Sequence, residues 1–295
     1  MKKAVQYFSL TCAVSWIIAG LAIFRGLRAA SGLSYTVFAM AYMLLPALCS
    51  ILLQAIRREK PFRNLSISFK FNKWFLIAGI VPVLYVFITL GINLTFPNVS
   101  FSANYEGLLS ILPEEQSALA AEQLSRFPPV VFLLITIAQS LFAGYTINAF
   151  FAFGEELGWR GYALKALQDK KFLFVCLITG IVWGLWHFPL ILIGHNYPQY
   201  PIAGVGMMTI WCILLSPVMT YITIKSKSVI TASIFHGCLN AFAGITVLYI
   251  AGGNNLTNGV TGIAGFIALF LVNFAFYLYD KYIAKENIFT KTIGD

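Results

Sequence analysis

Phe151-Ala-Phe-Gly-Glu155-Glu156-Leu-Gly-Trp-Arg160-Gly161-Tyr162 places two adjacent carboxylates and a guanidinium in sequence that is otherwise almost unbroken hydrocarbon. Ionised side chains in such surroundings are costly and require a partner or a chemical task. The stretch closes an apolar run that starts near residue 128 and is long enough to cross a bilayer. Its reading sets the fold class: an all-α, polytopic membrane protein with a polar site inside the helix bundle.

Composition agrees. Of 295 residues, 59% are hydrophobic and 11% charged, with a mean hydropathy of +0.80; a soluble domain carries about 25% charged residues. Eight candidate spans are expected, near 5–24, 36–56, 74–95, 128–155, 172–194, 201–224, 228–250 and 261–283. Lys2 and Lys3 precede the first run, which is longer than a signal-peptide core and lacks an A-x-A cleavage pattern, so it is expected to be a retained helix. The net charge of +9 encodes orientation rather than nucleic-acid binding. Only Arg25, Arg28 and Arg126 fall in outer loops; the other 17 of the 20 basic residues fall on the inner side, which predicts cytoplasmic termini. The chain reads as one membrane domain, in which 1–127 supplies three helices and an outer loop, and 128–285 supplies the polar core. In that loop, 113–125 reads as a short amphipathic helix capped near Pro113. The five cysteines lie inside spans without C-x-x-C spacing, as buried free thiols would.

The ionisable residues expected in the membrane interior are Glu155, Glu156, Arg160, His187 and His236, joined by Asn240. Counting back to the basic borders at Lys165, Lys171 and Lys227 places Glu155 at a depth of roughly 15 Å, His187 at roughly 24 Å and His236 at about 14 Å. Glu155 and Glu156 point about 100° apart on a helix and cannot share one task. Glu156 and Arg160 stand one helical turn apart, which suits an ion pair, leaving Glu155 to face the interior. His236 and Asn240 have the same spacing and project together. Pro189 bends its helix beside His187, while His195 is expected at the outer interface without a catalytic role. Two chemistries fit these residues. Glu155, as a general base with His187, activates a water while His236 and Asn240 donate to an oxyanion. Alternatively, Glu155, His187 and His236 hold Zn²⁺, which acidifies the bound water. The absence of H-E-x-x-H, and an amide where a further ligand could sit, favour the metal-free version.

E-E-x-x-x-R at Glu155, Glu156 and Arg160, then Trp183 four residues before His187, then H-x-x-x-N at His236 and Asn240, together resemble the CAAX-protease and bacteriocin-processing family. That family includes the eukaryotic type II CAAX prenyl endopeptidase, a membrane protease that removes the last three residues of prenylated proteins. The resemblance spans about 130–250. It implies an intramembrane endopeptidase with Glu155 and His187 activating water, His236 and Asn240 forming the oxyanion hole, and Glu156, Arg160 and Trp183 in support. It also implies no resident cofactor, a membrane-associated peptide or lipidated protein as substrate, and, from the local run Glu-Glu-Leu-Gly-Trp-Arg-Gly-Tyr, a bacterial plasma-membrane member. The position of Trp183 is often Phe in the family.

Two readings from other classes remain. A non-catalytic protein conferring bacteriocin immunity or scaffolding a partner would keep its phenotype in Glu155→Gln. A transporter using Glu155 and the histidines as a proton relay would need polar residues through both leaflets, and the remaining spans supply almost none.

Overall fold

The computed structural model describes residues 1–110 and 114–294. Helices dominate: α1 (Lys2–Phe24), α2 (Leu33–Tyr42), α3 (Leu45–Ile56), α4 (Lys73–Asn93), α5 (Glu114–Ser125), α6 (Pro129–Tyr145), α7 (Ile147–Glu156), α8 (Phe172–Trp186), α9 (Phe188–Leu192), α10 (Pro201–Ser226), α11 (Val229–Phe242) and α12 (Ile263–Leu278). The one departure from an all-α architecture among the described residues is a short antiparallel ladder, β1 (Val99–Phe101) with β2 (Ile250–Gly252). Helix starts follow local chemistry. Asn72 caps α4 by accepting from the Trp74 amide at 3.0 Å, Ser228 caps α11 through Ile230, and Pro129 and Pro201 open α6 and α10. In the outer loop α5 covers most of the expected amphipathic helix; its expected cap at Pro113 lies outside the described residues.

Among the described residues six helices are long and apolar enough to cross a bilayer, or seven if the bent pair Ser117–Ser125 and Pro129–Tyr145 forms one span, so the expected eight are not confirmed. The shortfall lies in two segments. The expected helix over 172–194 breaks at His187, because Pro189 carries no amide hydrogen to continue the ladder, and α8 is left 15 residues long. The expected helix over 128–155 breaks at Thr146, where φ −117° and ψ −95° leave the helical region. No proline or glycine sits at that residue; the cause lies across the bundle. A Cβ on Gly237 of α11 would stand 2.5 Å from both the Gly144 carbonyl oxygen and the Ala149 amide nitrogen, so α11 is seated in the break. Asn148 donates to the Gly237 carbonyl at 3.3 Å and fixes the contact. Beyond α7 the chain continues as a π-helical stretch, Leu157–Ala163.

The bundle has two chemically distinct ends. At one, Lys3 pairs with Glu59 at 2.7 Å, the Ser66 carbonyl accepts from the Val229 amide, and an isolated backbone bridge joins Thr292 near the C-terminus to Lys171. This end gathers the basic loops. At the other, the β1–β2 ladder lies beside the loop after α9, where the Tyr197 hydroxyl donates to the Thr261 carbonyl at 2.7 Å. All five cysteines are free.

α8 and α10 form the tightest pair, along Gly180-x-x-x-Gly184. A Cβ on Gly184 would lie 2.4 Å from the Thr209 Cα, and one on Gly180 2.6 Å from the Ile213 Cα. Small residues at this spacing let helix backbones touch. Gly184→Val should therefore lower the thermal unfolding midpoint in detergent, with a loss of about 1–3 kcal/mol or more from overpacking. Gly206→Ala, on the same α10 but with open space around its Cβ, should leave the midpoint unchanged.

Candidate active site

Glu156 is fully buried and shared by two partners. Arg160 Nη1 lies 3.1 Å from its Oε2, and His236 Nδ1 lies 2.8 Å from its Oε1. Arg160, 2% exposed, also donates from Nη2 to Ser216 Oγ at 3.2 Å and places its guanidinium 4.4 Å over the Trp183 ring. One carboxylate thus joins the chain after α7 to α11, and its cation carries the connection on to α10 and α8. The Glu156–Arg160 contact has the one-turn spacing of the sequence. The Glu156–His236 contact spans 80 residues, and no local pattern signals it.

Glu155 turns elsewhere. Its Oε2 accepts from the Trp183 indole Nε1 at 2.8 Å. Four residues on, His187 Nδ1 lies 2.8 Å from the Trp183 carbonyl oxygen. A carbonyl only accepts, so Nδ1 carries the proton and Nε2 presents a lone pair. Trp183 therefore touches four groups of the site: Glu155 through its indole, Arg160 through its face, His187 through its carbonyl, and His236 by an edge contact with ring centroids 5.6 Å apart. A phenylalanine at this position would keep the face and lose the donor.

Glu155, His187, His236 and Asn240 all line one cavity of about 280 Å³. The Asn240 side chain makes no hydrogen bond among the described residues and is open to the cavity. Trp186 walls the side towards α1 and α2, held by its indole donating to Ser15 Oγ at 2.8 Å and by the Tyr42 hydroxyl on its carbonyl at 3.0 Å. The cavity also reaches residues that sequence reasoning set aside. His195, expected at the interface, lines it together with Asn196, and its ring stacks parallel to His187 at 6.5 Å between centroids. Val260 and Thr261 complete this side. These four belong to the end of the bundle remote from the basic loops. Glu156 and Arg160 are not part of the cavity lining and meet it through His236 and Trp183.

The alternative zinc ligands are Glu155, His187 and His236, and among the described residues no three His, Cys, Asp or Glu side chains converge as metal ligands. Both histidines engage Nδ1 with protein acceptors and Trp183 occupies one oxygen of Glu155, which leaves Nε2 of each ring and Oε1 of Glu155 without a protein partner.

Apolar helices thus enclose a carboxylate, two histidines and an amide around one cavity. Residues 126–242 match the family model described as type II CAAX prenyl endopeptidase, Rce1-like. Over 289 residues the chain is 28% identical to the protein named CAAX prenyl protease 2 of Methanococcus maripaludis, covering 96% of each. By both matches the chain is similar to membrane peptidases of the Rce1-like CAAX endopeptidase family. The likeness reaches well beyond 130–250, into the three N-terminal spans. Bacterial origin and bacteriocin processing gain nothing from these matches.

Because removal of one partner leaves a buried charge uncompensated, Glu156→Ala should lose about 3–5 kcal/mol of stability. Glu155→Gln, which keeps an acceptor for the Trp183 indole, should unfold within about 1 kcal/mol of wild type. Thermal unfolding of both variants in the same detergent checks the contrast.

Proposed function

We propose that Glu155 and His187 activate a water for attack on a peptide carbonyl, with His236 and Asn240 stabilising the tetrahedral oxyanion. The observation that carries this reading is the convergence of these four side chains on one cavity enclosed by apolar helices. With Oε2 of Glu155 occupied by the indole, Oε1 is free to take a proton, and His187 Nε2 accepts the second hydrogen bond of the same water. The hydroxide oxygen bonds to the carbonyl carbon while the carbonyl electron pair moves to oxygen. Collapse expels the amine, which takes the proton from Glu155. For His236 Nε2 to donate to the oxyanion, the ring must hold both protons. The Glu156 carboxylate, itself paired with Arg160, lies against Nδ1 and supports that state.

The substrate class follows from the relative named CAAX prenyl protease 2: a membrane-associated peptide or prenylated protein presented to the cavity. If the basic loops face the cytoplasm, the part of the cavity lined by His195, Asn196, Val260 and Thr261 lies towards the other side of the membrane. In sealed right-side-out vesicles, a membrane-impermeant maleimide should label Thr261→Cys; labelling only after permeabilisation would reverse this orientation.

Hydrolysis of a farnesylated C-terminal peptide by the purified protein tests the chemistry. Glu155→Gln and His187→Ala should abolish turnover, and Asn240→Ala should lower kcat by roughly 10²–10³ as oxyanion-hole donors do. Unchanged hydrolysis in Glu155→Ala would sink the proposal. Metal content should be measured on the active protein before and after chelation. Stoichiometric zinc, lost together with activity, would overturn the metal-free reading.

A further inference from the structure

At the basic end of the bundle, Tyr162 is 4% exposed and its hydroxyl has no hydrogen-bond partner among the described residues. A buried polar group left unpaired costs about 1–3 kcal/mol, so an orphan hydroxyl marks a place where something else binds. Tyr162 lies on the floor of a second cavity, of about 680 Å³, outside the site described above. Its rim carries Lys3, Arg58, Lys60, Arg63 and Lys165. The two carboxylates at the same cavity are already engaged, Glu59 by Lys3 and Asp169 by Lys170, both at 2.7 Å. Arg58, Lys60 and Arg63 form no ion pair among the described residues.

The loop bearing these cations is built rather than loose. Gln54, 2% exposed, accepts from the Phe62 amide at 3.1 Å and donates to the Arg63 carbonyl at 3.4 Å. Arg58, Phe62 and Asn64 adopt left-handed backbone conformations, with φ of 56°, 63° and 62°, that non-glycine residues avoid without local support. The geometry points to a binding site for a phosphate ester, with the Tyr162 hydroxyl and the unpaired guanidinium and ammonium groups as donors. Its surroundings identify the source of the phosphate. Phe62, Phe69 and Phe71, in the same connection between α3 and α4, are 49%, 69% and 78% exposed. Aromatic rings beside cations at a bundle end are the pattern of a headgroup-level anchor, which a free phosphate would not need. We infer that the cavity holds the headgroup of an anionic phospholipid, with the acyl chains leaving past the exposed phenylalanines.

Native mass spectrometry and thermal unfolding of the detergent-solubilised protein test this with three probes: dioleoyl phosphatidylglycerol, dioleoyl phosphatidylcholine and inorganic phosphate. The anionic lipid should be retained as a single adduct and raise the unfolding midpoint. Phosphatidylcholine and phosphate at the same concentration should do neither. Tyr162→Phe and the double variant Arg58→Gln/Arg63→Gln should each weaken the adduct about tenfold, which is about 1.4 kcal/mol. Both should unfold like wild type in phosphatidylcholine, showing that the fold is intact. Equal retention of the two lipids, or unchanged retention in both variants, would overturn the proposal. A full response to inorganic phosphate without the lipid would overturn the lipid as its source.

Discussion

The interior of this bundle depends on one carboxylate. Glu156, fully buried, meets Arg160 and His236 at once, and the arginine passes the connection on to Ser216 and Trp183. Removing a carboxylate and a guanidinium from water costs several kcal/mol per ion, repaid only when geometry is good and the remaining donors are used. Here the arginine directs Nη1 to a carboxylate, Nη2 to a hydroxyl and its face to an aromatic ring, while its Nε has no partner among the described residues. The arrangement is less a source of net stability than a constraint. Only one placement of α8, α10, α11 and the π-helical stretch after α7 satisfies it.

That constraint separates two neighbours in sequence. With Glu156 fixed towards Arg160, Glu155 turns away to the Trp183 indole and the cavity. The same tryptophan backbone fixes the His187 proton on Nδ1. Trp183 thus sets the orientation of the proposed base, the tautomer of its partner histidine and, by its face, the guanidinium below. The larger side chain at a position that is often Phe is therefore a second donor inside the site as well as a wall of the pocket. On the proposed mechanism, it leaves Glu155 one oxygen for the proton it must take.

Much of this was legible in the sequence because it depends on composition or on local helical spacing. The apolar runs announced the membrane fold, and Glu156 with Arg160, or His236 with Asn240, follow from one-turn geometry. Residues whose cost is highest in hydrocarbon stood out for that reason; the structure brings Glu155, His187 and His236 to one cavity and pairs Glu156 with Arg160 beside it. What escaped depends on packing across the bundle. The break at Thr146 is set by α11 pressing its Gly237 into the chain, and nothing in 128–155 itself encodes it. His195 looked interfacial because it follows Pro189 at the end of a span. Once the helix breaks at His187, the chain turns back and its ring returns to the cavity. Both breaks also account for why eight helices were expected where six or seven qualify.

The same helical run serves both ends of the molecule. Glu155 faces the cavity that lies towards the neutral loops, and Tyr162, seven residues on, faces the cavity among the basic ones. Between them stand Glu156 and Arg160, and the intervening turn is π-helical rather than α-helical. A π-helical turn widens the ring and rotates the residues after it, a geometry often found at functional sites. Its effect here is to let one short stretch aim a carboxylate at one chamber and a phenol at another while burying an ion pair between them.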